Sequence, residues 1–165
     1  MSVGLPQDIN LIVIATSATG SRAHFYPDTK SLLAAVVGLG TTADADVRVE
    51  FFDKQGVRMH PVVAKKWQVV GIAAGVDDPQ PEIVLSRLRT AVRDVENFLL
   101  DPATENVLAG MKLSPKEAVA RLPRLDGVTD LAEAIRRCDG TFGHGDADTG
   151  HDGSLLHNLF VHGIF

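Results

Sequence analysis

Apolar side chains recur at every second position through residues 47–63, apart from one break at Asp53-Lys54-Gln55-Gly56. This period is typical of a half-buried strand, whose successive side chains point to opposite faces. Gly56 suits the positive φ of a tight turn. The pattern therefore predicts a β-hairpin over 47–63, with Glu50 and Phe52 on its less buried face.

Three further segments have the character of strands. Residues 9–15 form a short, β-branched apolar run, and a cluster of turn formers over Thr16–Ser21 follows it. His24-Phe25-Tyr26, closed by Pro27, and the segment Trp67–Ala74 are also short and apolar or aromatic. Lengths of this order favour strands over helices.

Five segments carry helical periodicity, most of them behind a residue that can cap a helix. They are Asp28 with Thr29–Leu39, Asp77-Asp78-Pro79 through Leu100, Asp101-Pro102 to Gly110, Ser114 to about Leu122-Pro123, and Thr129 to Cys138. Together these patterns predict an α+β fold. Its small mixed or antiparallel sheet is centred on the 47–63 hairpin and packs against several helices.

The composition changes sharply at Asp139. Residues 1–138 have the ordinary balance of a globular domain, and a chain of 165 residues is close to the commonest domain size. Residues 139–154 are dominated by Gly, Asp, Thr and His, which predicts a flexible linker. Residues 155–165 are apolar again, so we expect one domain, a tether and an amphipathic C-terminal peptide.

Charge and cysteine content exclude several classes of protein. The formal net charge is −5, whereas nucleic-acid and anionic-membrane binders usually carry a basic excess. Arg87, Arg89 and Arg93 fit an ordinary solvated helix face. The single Cys138 excludes an internal disulfide and a thiolate zinc cluster. Without a secretion signal or a long apolar run, we expect a cytoplasmic protein that contacts neither membrane nor nucleic acid.

The C-terminal peptide is the strongest candidate for a partner-binding surface. One helical face of it carries Leu155, Leu156, Leu159, Phe160 and Ile164. An exposed apolar peptide of this kind either folds back on its own body or docks elsewhere, on another protein or on a second copy of the chain. The leading hypothesis is a non-enzymatic accessory, adaptor or assembly subunit that docks through this peptide.

The start of this peptide also resembles a known kind of targeting signal. Asp152-Gly153-Ser154-Leu155 is similar to the opening of the C-terminal peptides that load cargo into encapsulin shells. This resemblance covers four residues and implies docking into a partner protein. Bulky Leu156, Leu159 and Phe160 stand where those peptides alternate glycine with small apolar residues.

The segment after the first strand supplies an alternative hypothesis, a small enzyme or ligand-binding domain. Backbone N–H groups, hydroxyls and a guanidinium at the end of a strand can hold an anion. The segment matches neither of the common glycine-rich phosphate-binding patterns. His24 or His60 would supply the acid–base group. The candidate anion-binding residues are Thr16, Ser17, Thr19, Gly20, Ser21 and Arg22.

The C-terminal region supplies a third hypothesis, binding of a divalent metal. Imidazole and carboxylate side chains together suit zinc, nickel or iron. The spacing is poor for one site, because residues five apart on a helix point about 140° apart. A solvated linker is the simpler interpretation, and no other cofactor is expected. The candidate ligands are His144, His151, His157 and His162, interleaved with Asp146, Asp148 and Asp152.

Two further patterns are weaker still. Asp28, Glu50 and Asp53 invite comparison with metal-dependent nucleases, but the acidic-x-Lys step of such sites is missing after Glu50. Cys138 is a conceivable nucleophile with a histidine as its base. No motif surrounds it, so an inert and partly buried thiol is the expectation.

Overall fold

Antiparallel strands form one sheet in the order β2-β1-β3-β4-β5. The computed structural model describes residues 11–18, 20–27, 32, 48–63, 69–73, 77–110 and 112–143. The strands are β1 (Leu11–Ser17), β2 (Gly20–Tyr26), β3 (Arg48–Phe52), β4 (Arg58–Val63) and β5 (Val69–Ala73). Helices pack on this sheet, so the predicted α+β fold is confirmed.

The predicted hairpin is present as β3 and β4. The Asp53 carboxylate accepts hydrogen bonds from the N–H groups of Gln55 and Val57, both at 2.9 Å, which holds the turn between the strands. Gly56 has a φ of +90°, as the turn chemistry predicted. A Cβ atom there would lie 2.7 Å from the backbone nitrogen of Pro81. Both the positive φ and the lack of space therefore disfavour a side chain at this position.

The prediction about the faces of this hairpin was wrong. Phe52 is fully buried and Glu50 is only 5 % exposed, while Val49 on the opposite face is 41 % exposed. The reason is that the long helix lies across the Glu50 face and supplies an arginine partner for the carboxylate. A period of two shows which residues share a face, but not which face the helix covers.

Helices α1 to α4 and one 3₁₀ turn follow the sheet. They are α1 (Pro81–Leu100), a 3₁₀ turn (Pro102–Thr104), α2 (Glu105–Gly110), α3 (Pro115–Ala120) and α4 (Leu131–Phe142). The capping box of Ser114 and Glu117 is present in both directions. Asp101 accepts from the N–H of Ala103 at 2.9 Å, as its position before Pro102 predicted.

Two predicted helix starts were wrong. Helix α1 begins at Pro81 behind Gln80, not at the Asp77-Asp78-Pro79 segment. The Gln80 N–H donates to the Gly56 carbonyl at 3.0 Å, so docking on the β3–β4 turn fixes where the helix begins. Helix α4 is preceded by Asp130, one residue after the predicted cap Thr129.

The last helix also runs further than the sequence predicted. It continues past Cys138 to Phe142, which is 1 % exposed and packs edge-to-face on Phe25 with ring centroids 6.1 Å apart. Gly143 then forms a parallel bridge with Phe25 at the edge of β2. The described helix and bridge therefore continue to Gly143, beyond the domain boundary predicted at 138/139.

Apolar cores lie on both faces of the sheet. The larger one fills the space between the sheet and the helices; it includes Ile12, Phe25 and Phe52 with Val84, Leu88, Val95 and Leu99 of α1. The smaller one, on the other face, consists of Leu11, Val13, Tyr26, Leu32 and Phe51. Leu32 belongs to the predicted helix 29–39, whose remaining residues lie outside the described ones.

Candidate functional site

A buried carboxylate at the seam between the sheet and α1 is the most conspicuous charged group of the described body. Glu50 Oε2 lies 3.1 Å from Arg58 Nη2, and Glu50 Oε1 lies 3.0 Å from Arg87 Nε. The carboxylate comes from β3, one arginine from β4 and the other from α1. The cluster therefore ties three elements together at one point.

Solvation and charge act in opposite directions on this carboxylate. Burial by itself raises the pKa of Glu50, but the hydrogen bonds and charges of Arg87 and Arg58 outweigh it, so that the pKa is lowered overall. Arg58 also stacks over the Phe52 ring at 5.0 Å, which adds a cation–π contact. With both oxygens engaged, Glu50 acts as a structural anion rather than as a general base.

The acidic residues that suggested a nuclease have separate structural roles. Glu50 lies within the arginine pair, and Asp53 holds the hairpin turn through two backbone N–H groups. Asp28 lies outside the described residues. The structure thus accounts for both described carboxylates without a metal ion.

The segment proposed as an anion-binding loop is mostly strand. Ser17 pairs with Gly20, so β1 and β2 form a tightly closed antiparallel hairpin. Thr16 Oγ1 and Ser21 Oγ are 3.1 Å apart across this hairpin. Thr19 lies outside the described residues. The hydroxyl groups of the two strands thus contact each other.

A carboxylate of α1 already lies at this hairpin. The Ser21 N–H donates to Asp94 Oδ2 at 2.7 Å, and Arg22 Nη1 donates to the Ser21 carbonyl at 2.9 Å. Burial lowers the pKa of Arg22, and the charge of Asp94 opposes that change. Asp94 is a residue that the sequence analysis missed. Its carboxylate accepts the backbone N–H of Ser21, one of the residues proposed to bind an external anion, and the anion-binding hypothesis stays a prediction.

The two histidines of the enzyme hypothesis lie apart from this hairpin turn. His24 and Ser21 are three residues apart on β2, so they point to opposite faces of the sheet. His60 is on β4, three strands from β2, which is about 14 Å at ordinary strand spacing. Its Nε2 lies 3.5 Å from Asp77 Oδ2, with both side chains about half exposed.

The remaining chemically active candidates have structural environments. Cys138 is fully buried, and burial raises the pKa of its thiol to about 12, so it is protonated and inert at neutral pH. Arg87 pairs with Glu50, and Arg89 donates to the Val128 carbonyl. Arg93 is exposed. The three arginines therefore do not form one continuous basic surface.

The predicted docking and metal-binding residues of the C-terminal region all lie outside the described residues. They are Leu155, Leu156, Leu159, Phe160 and Ile164 for docking, and His144, His151, His157 and His162 for metal. Within the described ranges, no three histidine, cysteine, aspartate or glutamate side chains form a group able to hold a metal ion. Both hypotheses stay predictions.

Comparison with known proteins adds no relative. No protein-family model, curated protein or solved structure matches the chain. No helix within the described part of the chain is long and apolar enough to cross a membrane. The residues of this chain are therefore the basis on which its function is inferred.

Proposed function

We propose that this protein is a non-enzymatic accessory or assembly subunit that docks onto a partner protein through residues 155–165. The observation that carries the proposal is the arrangement of the chain after the body. Helix α4 and the bridge at Gly143 end the described fold, eleven polar and glycine-rich residues follow, and an amphipathic apolar peptide ends the chain.

The use of charged groups in the body supports this proposal. Glu50 is bound by two arginines, Asp94 holds the β1–β2 hairpin, and Asp53 holds the β3–β4 turn. Each of these carboxylates stabilises a contact between elements. A catalytic site needs polar groups that converge on a position open to substrate.

The energetics of the peptide suit reversible docking. Five large apolar side chains bury about 400–500 Å² together, for a gross gain on the order of 10 kcal/mol at about 25 cal/mol per Å². Ordering eleven residues costs a comparable amount. The net affinity therefore depends on a shaped groove in the partner.

The test compares two double variants of the full chain that each add two negative charges. Leu159→Asp with Phe160→Asp charges the apolar face. The matched control is Asn158→Asp, on the polar side of the peptide, with Thr149→Asp in the preceding polar segment. Affinity capture with quantitative mass spectrometry identifies the bound partner, and thermal unfolding reports on the body.

We expect the first variant to lose a partner that the wild type and the control retain, while all three unfold at the same temperature. A lowered unfolding temperature in the first variant, with no difference in bound proteins, contradicts the proposal. The peptide would then be the last helix of the core.

A further inference from the structure

Arg58 and Arg87 each use only part of their guanidinium group to hold Glu50. Arg58 donates through Nη2 and Arg87 through Nε, each to a different oxygen of the carboxylate. A guanidinium carries five N–H donors, so most donors of both groups are left over. Within the described structure, no nitrogen of these two arginines is both buried and without a hydrogen bond, and their side chains are 34 % and 37 % exposed. The remaining donors therefore face solvent.

The arginine pair, Arg58 with Arg87, is held in place by its surroundings. Arg58 lies over the Phe52 ring at 5.0 Å. Glu50, which both arginines contact, is only 5 % exposed. The two arginines belong to different elements, β4 and α1, which the carboxylate ties together. A ligand that binds the outer donors therefore needs to immobilise little that is not already ordered.

The arginine pair keeps an excess of positive charge at the surface. Two guanidinium groups around one carboxylate leave a net charge of +1. Arg48, which is exposed, lies on β3 two residues from Glu50 and therefore on the same face. Because Glu50 is buried and the guanidinium groups are partly exposed, an anion that approaches from solvent meets the positive groups first.

The surface beside the arginine pair is open. Arg58 lies directly opposite Phe52, so both are on the face of the sheet that α1 covers. His60 and Val62 follow Arg58 on this face of β4, but both are about half exposed. Val62 pairs with Gly71, which adds no side chain. An open strip of this kind suits an extended peptide better than a small molecule, which is normally enclosed by a concave pocket.

We propose that the arginine pair binds the phosphate group of a phosphorylated side chain in a partner protein, and that the adjoining peptide lies along His60 and Val62. A phosphate monoester carries a charge of about −1.5 to −2 at neutral pH and three acceptor oxygens, so it can bind both guanidinium groups at once. Clusters of arginine recognise phosphorylated peptides in this way. The inference goes beyond the proposed function, because the site lies on the body and not in the C-terminal peptide.

Three pools of short peptides with varied flanking residues test this proposal on the full chain. Their central residue is phosphoserine, serine or glutamate, and fluorescence anisotropy measures how tightly each pool binds. We expect the phosphoserine pool to bind about tenfold or more tightly than the other two, as the gain of one charge-assisted hydrogen bond requires. Equal binding of the phosphoserine and serine pools, or of the phosphoserine and glutamate pools, would overturn the proposal.

The residues that flank phosphoserine distinguish a peptide from free phosphate as the ligand. Sequencing of the peptides that the immobilised protein retains should show a preference at one or more flanking positions, because these residues contact the open strip of β4. Retained peptides without any such preference, released by inorganic phosphate alone, would show that the site takes free phosphate and would overturn the assignment to a peptide.

A matched pair of variants locates the site. Arg58→Lys with Arg87→Lys keeps both charges but replaces each planar fork of donors by a compact ammonium group. We expect it to bind the phosphoserine pool about tenfold more weakly than the wild type. Arg136→Lys with Arg137→Lys makes the same change where two arginines share Glu133 on the exposed surface of α4, and it should bind like the wild type. Equal binding by the two variants would contradict the location.

Nuclear magnetic resonance of the wild type gives a readout that needs no folded variant at the site. The Nε–H signals of Arg58 and Arg87 should shift as a phosphoserine peptide is added, whereas those of Arg136 and Arg137 should stay in place. Thermal unfolding checks that the variants used above are folded. Shifts confined to other arginines would show that the phosphate group binds elsewhere and would refute the proposal.

Discussion

Glu50 Oε1 accepts a hydrogen bond from Arg87 Nε at 3.0 Å, and this ion pair joins the middle of the sheet to the long helix. It lies on the same face as the fully buried Phe52. Because the second oxygen is held by Arg58, the carboxylate fixes how β3, β4 and α1 pack. The charge therefore stabilises the packing of the body.

Replacing Glu50 by Gln should destabilise the protein by about 1–3 kcal/mol. Breaking a fully buried ion pair costs about 3–5 kcal/mol, and the two arginines here are about one-third exposed, which reduces the loss. Urea unfolding measures the change. The matched control is Glu133→Gln, which also removes two arginine contacts but at an exposed helix surface, and it should have a small effect. Equal effects of the two substitutions would contradict this assignment.

The same carboxylate should make stability depend on acid pH. Its pKa in the folded protein is below the ordinary glutamate value, so the unfolded chain takes up the proton first as the pH falls. The contribution is complete above about pH 4–5, where unfolded glutamates are ionised, and is lost as the pH falls through the lower folded pKa. The free-energy difference between the wild type and Glu50→Gln should shrink over that range. A difference that stays constant down to strongly acid pH would refute the link.

Gly56 and Gly127 form a matched pair for testing the β3–β4 turn. Both have positive φ, +90° and +74°, but only at Gly56 would an added Cβ meet other atoms, with Pro81 N 2.7 Å away. Gly127→Ala should cost about 1 kcal/mol from backbone strain alone. Gly56→Ala should cost clearly more, because the start of α1 must move away from the turn. Similar unfolding free energies for the two variants would mean that this close approach does not matter.

Asp94→Ala should destabilise the β1–β2 hairpin by about 1–3 kcal/mol, since it leaves the Ser21 N–H without its charged acceptor. Asp94→Asn keeps an acceptor oxygen and should lose less. Hydrogen exchange at Ser21 should accelerate most in the alanine variant. Unchanged protection there would show that the carboxylate does not hold this edge.

Local patterns predicted much of the fold, and their failures share a physical cause. The hairpin at 53–56, the Ser114 capping box and the Asp101 cap depend on neighbouring residues only, and all three were predicted. The burial of Glu50 depends on Arg87, which is 37 positions away. The alternation of apolar residues along the sequence does not reveal a contact between residues so far apart.

The contact between Asp94 and Ser21 could not be predicted from the sequence for the same reason. Thr16–Arg22 has the composition of an anion-binding loop, and a carboxylate from α1 accepts the N–H of Ser21 within it. Asp94 is 73 residues from Ser21, and on a helical wheel it looks like an ordinary solvated residue. Helix α4 was predicted to end at Cys138 because the glycine-rich composition begins there. Phe142 continues it, since the ring packs on Phe25 of β2.

If the terminal peptide serves association, the body must be complete without residues 144–165. The most direct test is the urea unfolding of the chain truncated after Gly143, compared with the full chain. We expect one cooperative transition in both and unfolding free energies that agree within about 1 kcal/mol. A truncated chain that loses several kcal/mol, or its cooperative transition, would show that the peptide belongs to the core and would contradict the proposed function.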